Sequence, residues 1–234
     1  YPIKSKNIIA HVRKATQGCV MLENAHPFLR ELWGRNWVFA HNGDLKDFVP
    51  ALHGQFRPIG STDSEHAFCW LLQEIAKSHA GVPSVEELTL TLAELVPQIS
   101  HKGTFNFVLS NGDAMWAHCS THLHYLVRAY PFNRASLMDQ DVSVNFAELN
   151  NAEDRAAVIV TLPLTADETW ATFQPNELIT FVDGAPKIHV DLDAAHAQLS
   201  ADLSVDMRQA IAEAQADADA AMQRYRQNLG LQAI

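Results

Sequence analysis

The sequence predicts an α+β fold with antiparallel sheets, and two observations lead to this prediction. Two helical segments with N-terminal capping signals follow one another between Thr62 and Ile99. Short segments rich in β-branched and aromatic residues then run from Thr104 to Val190, with Asn-Gly and Asp-Gly turn signals between them. Helices and strands that occupy separate stretches of a chain favour separate layers of a domain.

The two helices are the most clearly predicted elements. In the first, Thr62 and Glu65 have capping-box spacing, and apolar residues at helical intervals continue to about His79. In the second, Ser84 and Glu87 repeat the capping box before a series of leucines. The two helices are therefore expected to form one layer.

The strands are predicted from short apolar runs bounded by turn signals. Near the N-terminus, residues 8–12 and 37–41 are predicted strands, and residues 13–36 between them form a structured loop. The later strands cover residues 104–110, 114–119, 122–130, 156–162, 177–182 and 187–190. The long apolar run in residues 156–162 predicts a strand covered on both faces.

The C-terminal stretch has a different composition. From about Asp193 the chain is rich in Ala, Asp, Gln and Met, and Leu199, Leu203, Met207 and Ile211 recur every four residues. We therefore expect one domain over residues 1–190 and a helical extension over residues 191–234. This extension is expected to pack on the outside of the domain or on a partner chain. The sequence is therefore compatible with a homo-oligomer.

Composition and charge exclude several classes of partner. The 234 residues carry a formal net charge of −10 at pH 7, which argues against binding to the phosphate backbone of nucleic acid. The sequence has no run of about 18 apolar residues that would predict a membrane-spanning helix. Three cysteines without paired spacing, Cys19, Cys69 and Cys119, indicate reduced thiols and a cytoplasmic protein.

The dipeptide Asn42-Gly43 allows two interpretations. Asn-Gly is a strong signal for a hairpin turn, and on its own it predicts one after the strand over residues 37–41. In the second interpretation, the side-chain amide of Asn and the backbone N–H of Gly converge on one oxygen. Because glycine lets the backbone approach closely, such a pair forms an oxyanion hole.

Four further residues have the chemistry of a site for a small zwitterion. The planar guanidinium of Arg13 suits a carboxylate, and the hydroxyl of Thr16 is three residues away. Asp63 can receive an ammonium group, although a carboxylate in the first turn of a helix is also favoured for structural reasons alone. His26, before Pro27, is on its own more simply a loop histidine held by hydrogen bonds.

A metal site is not expected. His118, Cys119, His122 and His124 lie close together in the sequence. Zinc sites usually show tighter paired spacing than this. The sequence therefore predicts no metal.

Four motifs occur in order: His-x-Arg-x-Ala-x-x-Gly at residues 11–18, Asn-Ala-His-Pro at 24–27, His-Asn-Gly at 41–43 and Ser-Thr-Asp-Ser-Glu at 61–65. Together they resemble the class II glutamine amidotransferases, whose glutaminase domain belongs to the N-terminal-nucleophile hydrolases. The resemblance spans about residues 8–72, and the loop over residues 28–37 is similar to short stand-alone bacterial members. It implies a four-layer α/β/β/α sandwich of antiparallel sheets with a C-terminal helical tail.

The resemblance also implies roles for the residues of the site. Arg13 would bind the α-carboxylate of glutamine, with Thr16 beside it and His26 supporting the pocket wall. Asp63 would hold the α-ammonium, and the Asn-Gly dipeptide at 42–43 would form the oxyanion hole. At positions 14 and 17 the chain has Lys and Gln where the family often has Trp and His. The lid of the pocket is therefore expected to differ in shape from that of the family.

The implied reaction is hydrolysis of the γ-amide of glutamine to glutamate and ammonia through a cysteine thioester, without metal or organic cofactor. The family's nucleophile is an N-terminal cysteine whose own α-amino group is the general base, whereas residue 1 here is Tyr1. We therefore expect the nucleophile on a preceding segment and no activity from these 234 residues alone; Cys19 is not expected to act. The alternatives are a hydrolase for another γ-glutamyl amide and a nucleophile-free module that binds an amino acid.

Overall fold

The structure is a computed structural model that describes residues 5–12, 21–202, 205, 207, 209, 210 and 216. In chain order the strands are β1 (Phe28–Leu32), β2 (Arg35–Leu45), β3 (Gly103–Ser110), β4 (Met115–Cys119), β5 (His124–Ala129), β6 (Arg134–Ser136), β7 (Ser143–Asn145), β8 (Arg155–Val160), β9 (Ala171–Thr172), β10 (Glu177–Val182) and β11 (Ala185–Asp191). Two helices, α1 (Asp63–Ser78) and α2 (Val85–Ser100), lie between β2 and β3. The chain separates into two compact units, Tyr1–Leu192 and Asp193–Ile234.

Within the described residues, the larger sheet of the first unit has six antiparallel strands in the order β1-β2-β3-β4-β10-β11. One face packs against α1 and α2, whose apolar sides were predicted to form one layer. The core between them contains fully buried side chains from both, among them Trp37, Phe39, Phe68, Leu92 and Trp116. Burial of such side chains contributes roughly 1.5–3 kcal/mol each, so this layer anchors β2 and β3.

A smaller sheet packs against the other face. It has the strand order β8-β5-β9, and β6 pairs with β7 in a separate ribbon. A second core of apolar side chains joins β3, β4 and β10 to β5 and β8, with Phe173 and Phe181 fully enclosed. The predicted α+β class, with antiparallel sheets packed face to face and helices outside, is therefore confirmed.

The N-terminal region differs from the prediction in two respects. Residues 8–12 belong to no strand of the structure, so the predicted strand there is wrong. The predicted loop over residues 13–36 contains β1, which pairs with β2 through a two-residue turn at Trp33 and Gly34, with φ of 57° and 73°. A tryptophan at positive φ is uncommon, so Gly34 alone was a weak turn signal for this hairpin.

The strand predicted to be covered on both faces, β8, is the edge strand of its sheet and only half-buried. In the second unit, residues 193–202 are helical, and Leu199, Val205 and Met207 are exposed; Leu203 and Ile211 lie outside the described residues. Among the residues that the structure describes, no helix has the length and apolar content needed to cross a bilayer.

Candidate active site

The two N-terminal motifs contact each other and the loop before α1. The imidazole Nδ1 of His26 lies 3.3 Å from Nε2 of His11. The backbone N–H of Ser61 donates to Oδ1 of Asn24 at 2.9 Å. A Cβ at Gly60 would lie 2.3 Å from the same Oδ1, so this close approach requires glycine. Segments that are distant in sequence are thus joined by direct contacts.

A buried carboxylate shapes the loop that leads into α1. Glu65 is 1% exposed; it accepts backbone N–H groups from Ile59 at 3.0 Å and Gly60 at 2.7 Å, and it pairs with the guanidinium of Arg30. The hydroxyl of Thr62 accepts the N–H of Glu65 at 3.2 Å, which is one half of the predicted capping box. The other half was predicted wrongly, because this carboxylate bonds to the loop and to Arg30.

Asp63, the predicted ammonium-binding residue, begins α1 beside the end of β2. Its Oδ2 accepts the backbone N–H of Leu45 at 2.7 Å. Its Oδ1 lies 3.4 Å from the hydroxyl of Ser64. The carboxylate is therefore anchored to β2 through one oxygen, and the N-terminus of α1 stabilises its negative charge.

His41 connects β2 to β3 and to α1. Its Nε2 lies 3.0 Å from the carbonyl oxygen of Thr104, which can only accept, so Nε2 carries the proton. Nδ1 therefore accepts the hydroxyl of Ser64 at 2.8 Å. Burial lowers the pKa of His41, while the hydrogen bond to Thr104 and the charge of Asp63 oppose this effect. At neutral pH the ring is neutral and fixes the first turn of α1 against the sheet.

The dipeptide Asn42-Gly43 lies inside β2 rather than in a turn. Asn42 is opposite Asn106 and Gly43 is opposite Phe105, and the pairing with β3 continues to the end of β2. The hairpin-turn interpretation of this dipeptide is therefore wrong. The strand continues because β3 supplies pairing partners that a local sequence signal does not contain.

Glycine is needed at position 43 because the backbone of β3 approaches it closely. A Cβ at Gly43 would lie 1.8 Å from the carbonyl oxygen of Thr104 and 2.6 Å from Nε2 of His41. Both distances are shorter than any real Cβ contact. Any larger residue would have to push the two strands apart.

The backbone N–H of Gly43 points away from β3. The carbonyl oxygen of Asn42 accepts Nδ2–H of Asn106 at 3.1 Å, so this carbonyl points toward β3. In a trans peptide the C=O and the following N–H point in opposite directions, and the bond between Asn42 and Gly43 is trans. The N–H of Phe105 donates to the hydroxyl of Ser120 at 2.8 Å, as expected when Gly43 and Phe105 form a pair that is not hydrogen-bonded.

The edge of β2 that receives this N–H is shared with Asp63. Pairing between β1 and β2 covers only Arg35 to Phe39, so β1 does not extend to Gly43. N–H groups two residues apart on a strand point to the same edge, and at Leu45 that N–H is bonded to Asp63. The N–H of Gly43 and the carboxylate of Asp63 therefore face one edge, about 7 Å apart along the strand.

A cleft of about 1220 Å³ lies between the two sheets. Its walls include residues 5–12, strand β8, and Asn42 with Asn106. Among the predicted site residues that the structure describes, Asn42 alone lines it, whereas Gly43, His26 and Asp63 do not. Arg13 and Thr16 lie outside the described residues. The cleft exceeds the roughly 300–1,000 Å³ of an ordinary small-molecule pocket.

Neither described cysteine has the properties of a nucleophile. Cys69 and Cys119 are fully buried; burial raises the pKa of the Cys69 thiol to about 11 and also raises that of Cys119. A thiol must ionise to attack, so neither is activated at neutral pH. Cys19 lies outside the described residues. Within the part of the chain that is described, no group of three or more His, Cys, Asp or Glu residues is placed to hold a metal ion.

Sequence reasoning missed the residues that support the site. Asn106, His41 and Ser64 bond to the dipeptide or to the start of α1, and Arg30 with Glu65 holds the preceding loop. The available signal was a polar residue at a buried position: Asn106 stands between two phenylalanines in a strand. Alternation places it on the opposite face, where the cleft lies.

The chain is similar to members of one family. A family model described as "Glutamine amidotransferases class-II" matches residues 1–205. A Haemophilus influenzae protein named "Putative glutamine amidotransferase" is 45% identical over 199 residues, which are 82% of this chain and 68% of that protein. The Escherichia coli K12 protein of the same description, YafJ, is 46% identical over 185 residues, 79% of this chain and 72% of that protein.

A solved structure supports the same relationship. A "predicted glutamine amidotransferase" from Pseudomonas aeruginosa superposes with a TM-score of 0.64 at 39% identity, over 71% of this chain and 66% of that one. The chain thus spans about two thirds of the length of these relatives. The predicted amidotransferase fold is confirmed, and the chain belongs to the class II glutamine amidotransferases.

Proposed function

We propose that this chain forms the glutaminase part of an enzyme that hydrolyses the γ-amide of glutamine to glutamate and ammonia. The observation that carries the proposal is the shared edge of β2. There the N–H of Gly43 and the carboxylate of Asp63 face the same side, and Asn42 lines the cleft between the sheets. One glutamine molecule is long enough to reach both its ammonium partner and the oxyanion donors.

Recognition of glutamine would use its α-ammonium and α-carboxylate groups, whose charges are the same before and after the reaction. Asp63 has one oxygen bonded to Leu45, which leaves Oδ1 to accept the α-ammonium. Arg13, with Thr16 beside it, would bind the α-carboxylate bidentately. His26 would act on the pocket wall through its contact with His11, the residue that lies two positions before Arg13.

The oxyanion hole would stabilise a negative charge that develops on the substrate only during nucleophilic attack. When the thiolate adds to the γ-carbonyl carbon, the carbonyl oxygen becomes an oxyanion. The side-chain amide of Asn42 and the N–H of Gly43 would donate to it, and donors fixed by packing need little reorganisation at that moment. The close approach of β3 to Gly43 supports such a fixed geometry.

The nucleophile would be a cysteine on polypeptide outside these 234 residues. The burial and the raised pKa values of the two described cysteines support this proposal. The thiolate would attack, the C–N bond would break, and the nitrogen would leave as ammonia with a proton from the α-amino group of the cysteine. Water would then hydrolyse the thioester and release glutamate.

A second candidate function follows from the size of the cleft. Arg13 and Asp63 would recognise only the glutamyl head, whereas Asn42 lines a cleft with room beyond it. A hydrolase for a substituted γ-glutamyl amide would use the same head pocket and would place the substituent in the cleft. Comparing kcat/KM for glutamine with kcat/KM for γ-glutamyl amides of increasing size separates the two candidates.

The domain organisation is proposed as a catalytic domain over residues 1–190 and an extension over residues 191–234 that serves assembly, in a cytoplasmic enzyme. The exposure of Leu199, Val205 and Met207 supports an assembly role for the extension. The family match continues to residue 205, beyond the proposed boundary. Cutting a complete enzyme after Val190 should change its oligomeric state more than its kcat; loss of activity with an unchanged oligomer would contradict this.

The direct test of the proposed function compares a complete, cysteine-bearing enzyme with the 234-residue chain. The complete enzyme should release equimolar glutamate and ammonia from glutamine, and the shorter chain should release neither. Turnover by the shorter chain that disappears in Cys19→Ser would contradict the assignment of the nucleophile. Absence of turnover by the folded, complete enzyme on every γ-glutamyl amide would contradict the proposed function.

A further inference from the structure

We propose that Asn106 is a positioning residue for the oxyanion hole, on which it acts by polarising the peptide group that joins Asn42 to Gly43. The inference rests on the proposed function, because it concerns how the N–H of Gly43 is prepared for an oxyanion. Asn106 is 4% exposed and lies directly opposite Asn42 in the β2–β3 pairing.

The side-chain amide of Asn106 has every hydrogen-bonding position occupied. Its Oδ1 accepts the backbone N–H of Ser120 at 2.9 Å and of Thr121 at 3.0 Å. Its Nδ2 donates to the hydroxyl of Thr121 at 2.8 Å and to the carbonyl oxygen of Asn42 at 3.1 Å. Since two N–H donors face Oδ1, the amide cannot be flipped without losing both bonds. The donor therefore points to Asn42 by necessity.

The carbonyl that accepts this bond belongs to the same planar group as the N–H of Gly43. Strand pairing already turns this carbonyl toward β3, because Asn42 and Asn106 form a hydrogen-bonded pair of the ladder, and a trans peptide then directs the N–H to the opposite side. The side chain of Asn106 adds a second donor to the same carbonyl oxygen. A hydrogen bond accepted by a carbonyl also makes the N–H of that peptide a stronger donor, since bonds in a chain polarise one another. Asn106 thus acts on the oxyanion through Gly43.

A purely structural role is the alternative explanation. In that case Asn106 would only hold the turn at Ser120 and Thr121, and its loss would affect stability alone. The two roles use different atoms, because Oδ1 serves the turn whereas one Nδ2–H serves Asn42. Suitable substitutions can therefore separate them.

Two variants of the complete enzyme remove the donor to Asn42 in different ways. Asn106→Asp keeps Oδ1, which accepts both N–H groups of the turn, but adds a charge. Asn106→Ser is uncharged and keeps one hydroxyl for the turn. Both should lower kcat about 10-fold and leave KM within about twofold of wild type. The control Thr121→Val removes the other acceptor of Nδ2 and should keep the wild-type kcat.

The outcomes are distinct when kcat is expressed per folded molecule and melting temperature is measured in parallel. A fall in kcat in both variants supports the inference. Wild-type kcat in Asn106→Ser overturns it, whether or not that variant melts earlier, because a fall in Asn106→Asp alone would report the added charge. An equal fall in Thr121→Val also overturns it. Failure of the proposed function would be recognised separately, as wild-type kcat in Asn42→Ala.

Discussion

The chain contains the dipeptide Asn-Gly at residues 42–43 and again at 111–112. The first lies inside a strand and the second in a turn. Asn111-Gly112 forms the turn between β3 and β4. There Gly112 has φ of 92°, and a Cβ at this position would meet nothing within 4 Å. Its glycine is needed for backbone conformation, and its surroundings would accept a larger residue.

The other copy needs glycine for space. At Gly43 the φ is ordinary, but a Cβ would lie 1.8 Å from the carbonyl oxygen of Thr104. The asparagines differ as well: Oδ1 of Asn111 accepts the N–H groups of Asp113 at 3.1 Å and Ala114 at 3.2 Å, whereas Asn42 lines the cleft. One dipeptide closes a hairpin, and the other has the geometry of a binding site.

Gly43→Ala should have the largest effect. The added Cβ collides with backbone, which cannot move without separating β2 from β3, so we expect a loss of about 3 kcal/mol or more in the free energy of unfolding. Glutaminase activity should be abolished. The matched control Gly112→Ala should cost about 1 kcal/mol through its positive φ and keep wild-type kcat. Urea unfolding measures the stability of the two variants, and steady-state kinetics measure their kcat. Equal effects of the two substitutions would contradict the distinction between the two Asn-Gly dipeptides.

Asn42→Ala should give the next largest effect, and this effect should be on kcat and not on stability. Loss of a donor aimed at developing charge should lower kcat by roughly 10²–10³-fold with little change in KM. The matched Asn111→Ala should instead lower stability by about 1 kcal/mol and keep kcat, because it loses two bonds in a turn. Steady-state kinetics with melting temperatures measure both. Wild-type kcat in Asn42→Ala would reduce the first dipeptide to a structural element.

Asp63→Asn should weaken substrate binding without slowing the chemical step. An amide oxygen can still accept the N–H of Leu45, so the melting temperature should change little. The ammonium of glutamine would lose a charged partner in the ground and transition states alike, and KM should rise roughly 10–100-fold with kcat nearly unchanged. Arg13→Lys should behave similarly. A fall in kcat equal to that of Asn42→Ala would contradict the division between recognition and catalysis.

Acid should weaken β3, the strand that links the two dipeptides. Its Phe105 carbonyl lies 2.6 Å from Nδ1 of His118, and burial lowers the pKa of His118 to about 4. In the unfolded chain the imidazole of this residue is protonated below about pH 6.5, whereas in the folded protein it stays neutral down to about pH 4. Its contribution to the free energy of unfolding is therefore complete above pH 6.5 and is lost as the pH falls toward 4. We expect stability to decrease by about 2 kcal/mol between pH 7 and pH 5.

Urea unfolding at the two pH values measures this decrease. The burial of His41 also lowers its pKa, so its contribution has the same sign and the total should not be smaller. In His118→Gln, whose amide can donate to the same carbonyl, the pH dependence should flatten. An unchanged pH dependence in that variant would contradict the assignment to His118.

The two helices and the longer strands after Thr104 could be predicted because their signals are local: capping residues, apolar periodicity and turn residues. The short strands β6, β7 and β9 were not predicted. The site could be located only by resemblance of its motifs. The position of Asn42-Gly43 inside β2 could not be derived, since a turn signal is local and the competing pairing with β3 comes from residues about 60 positions away. The role of Glu65 was missed for the same reason, because its partner Arg30 is brought near by the fold.

The central claim is that the N–H of Gly43 donates to an oxyanion while that of Gly112 does not. We would label the complete enzyme with ¹⁵N-glycine and record amide spectra before and after adding an aldehyde analogue of glutamine, which forms a tetrahedral adduct with the nucleophilic cysteine. The account predicts a downfield shift of the Gly43 amide proton and an unchanged Gly112 signal. An adduct that forms while the Gly43 amide stays at its original position would contradict it.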